Sequence, residues 1–349
     1  MKLKQIIPAV LIAALTSSST ASAQAQDKPV PVTVKNFQRA ESDLYFGNFV
    51  KQGGFGKLFH YRTPTPIDKQ DVVRMNRDTL YPGGVFDLDA GPVTVTLPDA
   101  GKRFMSLQTV TEDHYSPATR YAPVKITLTR KEVGTRYVAL IARTLVNPGD
   151  PADVQAVNAL QDQIKIEQPG GPSQWDAPNW DPVTQAQVRD HLAGLQALGG
   201  CTGIVRMGTR EAVDPVCHLL ATATGWGLNP QEDAVYNTVY PKANDGKTVH
   251  KLTVKDVPVD GFWSISVYNA KGYFEKNDLD SYDQQPHGEA GGRRVVHDPV
   301  RRLHERHAQL PGNAGRVELR RAAVPAPEVD PRRHLEVPGG AARSVSPSA

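Results

Sequence analysis

The spacing of hydrophobic positions changes along this chain, and each change predicts a different kind of element. Phe37, Ala40, Leu44 and Phe49 recur near helical spacing, and Gly53-Gly54-Phe55-Gly56 ends the run. From Val85 to Val146 the period drops to two. Val93, Val95 and Leu97 alternate with Thr94 and Thr96, and Pro98-Asp99-Ala100-Gly101 makes a turn. Phe104–Thr111, Val124–Thr129 and Tyr137–Val146 then read as further strands. Residues 148–230 return to helical spacing. Asp150-Pro151 supplies a cap and first-turn pair ahead of Val154, Val157, Leu160 and Ile164. A second helix spans Thr184–Leu198 and stops at Gly199-Gly200; a third begins at Asp214-Pro215 and carries Val216, Leu219 and Leu220. Alternation resumes at Val249, Leu252 and Val254 and again over Phe262–Tyr268. The pattern predicts a mainly β protein, sandwich or barrel, with helical material between two β regions.

Composition narrows this picture. With 22% charged and 39% apolar residues, the 349-residue chain is neither disordered, collagen-like nor a coiled coil, and its length suits two domains. A net charge of +3, spread evenly, argues against nucleic acid as a partner. The first residues read as an address. Lys2 and Lys4 precede the apolar run Ile6–Leu15, and Ala21-Ser22-Ala23 is a small-x-small cleavage site. Residues 1–23 are therefore expected to be a signal peptide and the mature chain to start near Gln24, periplasmic or secreted. No later segment is long and apolar enough for a transmembrane anchor. Export permits a Cys201–Cys217 disulfide; two small buried or free thiols are the alternative.

After Asp283 the composition breaks. Residues 284–349 contain 11 Arg but no Ile, Phe, Tyr, Trp, Met, Lys, Thr or Cys. Such a stretch is either a disordered basic tail or a GC-rich gene read out of frame. Back-translated and begun one base later, suitable codons give the words F-G-G-C, W-N-Y and G-T-W-K-F, with aromatic residues and strand alternation. A frameshift near Tyr282–Asp283 is the reading preferred here, and the tail is expected to stay unpacked.

Several long motifs carry a family resemblance. Asn36–Tyr45, Pro66-Ile67-Asp68, Arg74-Met75-Asn76-Arg77-Asp78-Thr79-Leu80-Tyr81, Val85–Pro92 and Glu112-Asp113-His114-Tyr115 make residues 36–146 resemble the domain of unknown function numbered 1254. Val213–Val216, Gly225-Trp226-Gly227 and Val257–Asn277 are similar to its partner domain, numbered 1214. The resemblance implies two jelly-roll-like β-sandwich domains, at 24–147 and at a truncated 231–283, joined by the helical segment 148–230 and followed by the tail 284–349. It implies no activity. Similar sequences carry a basic residue at position 217, so a bridge there is no family feature.

Two polar clusters could carry chemistry. In an extended segment Arg74, Asn76 and Asp78 share one face and Arg77 takes the other; the guanidinium forks suit a small anionic or carboxylate ligand, and a buried structural network is the alternative. Glu112, Asp113 and His114, followed by Tyr115, could supply acid/base groups or part of a divalent metal site completed by His60 or Asp78. A capped, hydrogen-bonded loop is the competing explanation. Asp87 and Asp89 read as turn chemistry, Ser264 and Ser266 as strand residues. Trp175, Trp180, Trp226 and Trp263 read as core before sugar platforms. Two functions follow: an oligomeric binding or structural module with an anion-accepting pocket, or a hydrolase or lyase using Glu112, Asp113 and His114 with Arg74 or Arg77 as anion clamp. The sequence leaves open whether the chain is an enzyme. All five of Arg74, Asn76, Asp78, Glu112 and His114 are expected in one pocket.

Overall fold

The computed structural model describes residues 28–70, 74–117, 119–171, 173–201, 203–239, 251–254, 257, 259–269, 272–277, 282–284, 294–297 and 314–320. The leader expected over residues 1–23 and most of the tail lie outside them.

Helix α1 (Phe37–Lys51) ends where Gly53 takes φ 86, a conformation that costs a Cβ-free residue nothing. Two short strands, β1 (Phe59–His60) and β2 (Thr79–Leu80), lead into β3 (Pro82–Asp87). After a single 3₁₀ turn come β4 (Val93–Leu97), β5 (Met105–Thr111), β6 (Thr119–Tyr121) and β7 (Val124–Leu128). Helix α2 (Arg130–Val133) is one turn closed by a Thr129/Glu132 capping box, and β8 (Tyr137–Leu145) follows it. The main sheet has the order β1-β3-β8-β5-β6, with β2 also beside β8. Its centre, β8, is buried on both faces along all but its last residue, which is why it reads as a nearly continuous apolar run. One face shares a core with a smaller sheet, β4 flanked by β7 and a later strand. There Phe86, Leu107, Val138 and Leu140 pack with Val93, Val95, Leu97 and the half-buried Val124, Ile126 and Leu128.

The next stretch holds α3 (Pro151–Asp162), β9 (Lys165–Glu167), α4 (Pro182–Ala197) and α5 (Pro215–Gly225). Each helix opens on an Asp-Pro pair, and Asp150, Asp181 and Asp214 accept first-turn N–H groups. The segment 148–230, expected from its spacing to be helical, also contains a strand. Strand β9 joins β4 with Ile166 opposite Val95, and Ile164 and Ile166 close the same core. Three residues are too few to show a period, so this strand is set by its partner. The other face of the main sheet lies under α1, α4 and α5. Val85, Val110, Ala139 and Ile141 meet Phe46, Trp175 and Trp226, while Phe37, Ala40, Leu192 and Leu220 surround Cys201 and Cys217, which form a disulfide.

Beyond the helices lie β10 (Ala234–Val239), β11 (Lys251–Val254), β12 (Trp263–Tyr268), β13 (Asp283–Gln284), β14 (Arg294–His297) and β15 (Ala314–Arg320). They form a sheet of order β10-β15-β12-β13 and a β11-β14 pair. Two strands thus come from the tail expected to stay unpacked: β15 pairs antiparallel with both β10 and β12. The sequence gives a reason, since Val295-Val296 and the alternating Val317-Glu318-Leu319 are β-competent words inside an Arg-, Pro- and Gly-rich stretch. The described residues are sheet-rich, with several antiparallel sheets against few helices, and no helix among them is long and apolar enough to cross a membrane.

Candidate functional site

The loop that leaves β5 carries Glu112 to Tyr115 under α1 and α5. His114 takes φ 66 and is fully buried. Its Nε2 accepts the Gly227 N–H at 2.8 Å, so the ring proton sits on Nδ1 and is donated to Thr222 Oγ1, also at 2.8 Å. The Thr222 hydroxyl in turn donates to the His218 carbonyl at 3.0 Å. The His114 ring stacks on His218 and Trp226, and Tyr115 also stacks on His218. Burial, reinforced by His218, holds the His114 imidazole well below the usual histidine range.

The two acids are paired. Glu112 Oε2 accepts the Tyr137 N–H at 2.9 Å, and Oε1 lies 3.5 Å from Arg39 Nη1. Asp113 takes Arg39 on one oxygen at 2.6 Å and Arg210 on the other at 3.1 Å. Sequence reasoning missed the α1 half of this cluster. Asp43 accepts from Trp180 Nε1 at 2.8 Å, and burial, with Glu112 and Asp113 nearby, pushes its carboxyl up to about 7. Burial pushes Glu112 up as well. Glu41 is held by Arg189 through both oxygens and by Gln185. A signal existed: Asp43 continues the Phe37–Ala40 spacing of three, so it points inward with the apolar positions.

The segment 74–78 is elsewhere. Asn76 donates to Asp78 and accepts from Thr79; Asp78, fully buried, also accepts from Ser264 of β12 at 2.5 Å. Arg77 bonds the Thr65 carbonyl and lies over the Tyr282 ring, and the backbone N–H of Arg74 donates to Gly272. Arg74 is exposed, with φ 54. This network ties β2 to the C-terminal strands. It does not share a pocket with Glu112 and His114. Thr79 pairs with Leu145, the last residue of β8, whereas Glu112 bonds Tyr137, the first. Eight extended residues at roughly 3.3 Å each set the two clusters about 26 Å apart. Arg74 and Arg77 therefore cannot clamp an anion for Glu112, Asp113 or His114. Alternation along one segment shows which residues share a face, and says nothing about which end of a neighbouring strand they reach.

The remaining candidates resolve into structure. Asp87 and Asp89 serve the 3₁₀ turn and pair with Arg136 and Arg130. Trp175 packs with Phe46 and Tyr137, Trp226 donates to Ser42, and Trp263 is buried in β12. Glycines let the 53–57 turn lie close on β3: a Cβ on Gly84 would collide with the Lys57 carbonyl, and one on Gly54 would crowd the carbonyls of Phe49 and Gly83. Among the described residues, no group of three or more His, Cys, Asp and Glu side chains is placed to hold a metal ion, His60 and Asp78 included.

One further buried charge lies in the main sheet. Arg143 interrupts the apolar run of β8. It is buried, its guanidinium lies 5.2 Å from the centre of the Tyr81 ring, and its Nε and Nη1 have no hydrogen-bond partner among the described residues.

Residues 55–168 match the family described as Protein of unknown function (DUF1254), a span that takes in β9 as well as the preceding strands. No curated protein matches the chain. A crystal structure of a Vibrio parahaemolyticus protein is similar with a TM-score of 0.61 at 14% identity, covering 83% of this chain and 93% of that one, which is a likeness of fold. A structure of an uncharacterised Burkholderia cenocepacia protein has a TM-score of 0.43 at 14% identity, over 83% of this chain and 84% of the other.

Proposed function

We propose that this chain is an exported module that holds a ligand without transforming it. The observation that carries the reading is the engagement of both ring nitrogens of His114 by Thr222 and Gly227 inside a buried stack. An imidazole so placed offers a substrate neither a proton nor a lone pair. The test is proton NMR of the purified protein with a mixture of small carboxylates and phosphate esters. Saturation transfer to some of them, with every compound recovered unchanged, is the expected result. Product formation abolished in His114→Gln overturns the reading. A hydrolase or lyase is the second reading, favoured by one observation: Asp43, pushed up to about 7, lies beside the raised Glu112 and Arg39, as acid/base carboxyls often do. Product formation that survives in His114→Gln and disappears in Asp43→Asn would establish it.

Export is supported by the Lys2/Lys4 leader pattern and by the Cys201–Cys217 bridge, a feature of oxidising compartments such as the periplasm. Intact mass of protein recovered there should begin near Gln24. The exposed Val183, Leu195 and Leu198 along α4, with Val216 on α5, support a second copy of the chain as partner. The two sheets sharing the Phe86–Leu140 core support the jelly-roll-like reading of the N-terminal domain. The DUF1214-like reading of the C-terminal part, and a frame change near Tyr282, rest on the sequence; the coding DNA decides the latter.

A further inference from the structure

We propose that Arg143 anchors a binding site for a small hydroxylated carboxylate, on the main-sheet face under the segment Leu228–Tyr236; the proposal rests on the reading of the chain as a ligand-holding module. Strand register assembles the site. Leu80 pairs with Thr144, which sets Tyr81 beside Arg143; Arg143 pairs with Ser106, and Ser106 with Tyr121. The next row on the same face is Ile141, Gln108 and Thr119. Further along β8 this face is filled by the apolar cluster around Phe46 and Val110, so the polar residues gather at the Leu145 end.

The segment after α5 roofs this patch. The Leu228 carbonyl accepts Gln108 Nε2 at 2.7 Å, and Asp233 accepts the Tyr121 hydroxyl at 2.5 Å. Asn229 donates to the Tyr236 hydroxyl at 3.0 Å, and Tyr236 hydrogen-bonds Arg143. Beneath the roof four buried polar atoms have no partner among the described residues: Arg143 Nε and Nη1, Gln108 Oε1 and Thr119 Oγ1. Among the described residues Arg143 makes no ion pair with a carboxylate, and Asp233 of the roof accepts from Tyr121 instead. A guanidinium keeps its charge at any physiological pH, and a buried charge without a counter-ion is costly, so an anion is the natural occupant.

The other orphans refine its chemistry. Gln108 Nε2 donates to a carbonyl, which fixes the amide so that Oε1 is an acceptor lacking a donor. Arg143 and Gln108 are diagonal neighbours across β8 and β5, about 7–8 Å apart at their Cα atoms and on the same face. A single small molecule can therefore give an oxyanion to Arg143 and a hydroxyl hydrogen to Gln108, with Thr119 able to serve either group. Its carbon skeleton would lie against the tyrosine rings.

The test is thermal unfolding of the full chain in millimolar L-lactate, acetate, inorganic phosphate or chloride at matched ionic strength. Lactate should raise Tm by roughly 5 °C at saturation, acetate by less, and chloride not at all. Arg143→Met should abolish the lactate response, and Gln108→Leu should reduce it to that of acetate. A lactate response no larger than that of chloride, or one that survives in Arg143→Met, overturns the site. A phosphate response that exceeds lactate's and is lost in Arg143→Met overturns the carboxylate assignment. If Arg143→Met does not fold, Gln108→Leu decides: an unchanged preference for lactate over acetate overturns the proposal. Conversion of lactate to a product would sink the non-transforming reading and leave the site standing. Loss of Arg143-dependent binding would do the reverse.

Discussion

The two ends of β8 bury charge in opposite ways. At the Tyr137 end, Glu112, Asp113 and Glu41 face Arg39, Arg210 and Arg189, and their charges are interleaved. At the Leu145 end Arg143 is buried more deeply than Arg39, Arg189 or Arg210, and among the described residues tyrosines rather than carboxylates stand around it. The difference separates two uses of one residue type. A buried guanidinium that meets a carboxylate from another helix fixes how those helices sit, and removing either partner leaves the other stranded. A buried guanidinium with no carboxylate among the described residues lacks that partner, and the ligand proposed above would supply the counter-ion.

The largest expected effect tests that contrast directly. Arg189→Met leaves Glu41 buried with only Gln185 as a side-chain donor and should cost about 3 kcal/mol in urea unfolding, the low end for a broken buried pair because Arg189 is partly exposed. Arg143→Met, in the absence of ligand, should cost less than about 1 kcal/mol or stabilise the protein. Equal losses in the two variants would erase the distinction between the ends.

Acid should act on the paired end. Burial holds His114 and His218 below the usual histidine range. Folding therefore favours their neutral forms: the stability they bring is complete above about pH 6.5 and is lost as pH falls, by about 1.4 kcal/mol per unit each. Asp43 works the other way. Its folded pKa of about 7 lies above the unfolded value, so it binds the extra proton in the folded state, and its contribution declines as pH rises from about 4 to 7. Glu112, also pushed up by burial, adds to Asp43, so the expectation is set by the difference between chains: from pH 7 to 5.5 the Tm of Asp43→Asn should fall further than that of the unsubstituted chain. Equal changes in the two chains over this interval would show that the fold does not hold Asp43 protonated.

The smallest effect belongs to Arg74, in the segment that leads into β2. Arg74 is exposed and sits at φ 54, so Arg74→Gly should change stability by no more than about 1 kcal/mol, toward greater stability. The same variant should leave the lactate response of the full chain unaltered; a lost response would return the anion site to the 74–78 segment.

Local chemistry is where the sequence was sufficient. Val93, Val95 and Leu97 reveal their strand because alternate side chains must share one buried face, and the Asp-Pro pairs at 150 and 214 mark helix starts because a carboxylate there meets free N–H groups within two or three residues. The polar motifs were also visible as motifs. What they do was not, because function depends on who faces them. Glu41 meets Arg189 across 148 positions of chain, His114 meets Thr222 across 108, and Asp78 meets Ser264 across 186. Periodicity carries no information at that range; only the packing of α1, α4 and α5 on the sheet, and of β12 against β2, decides it. That packing satisfies both ring nitrogens of His114 and buries Arg143 with Nε and Nη1 unpartnered among the described residues, although one-dimensional reading gives the first a catalytic look and hides the second inside an apolar strand.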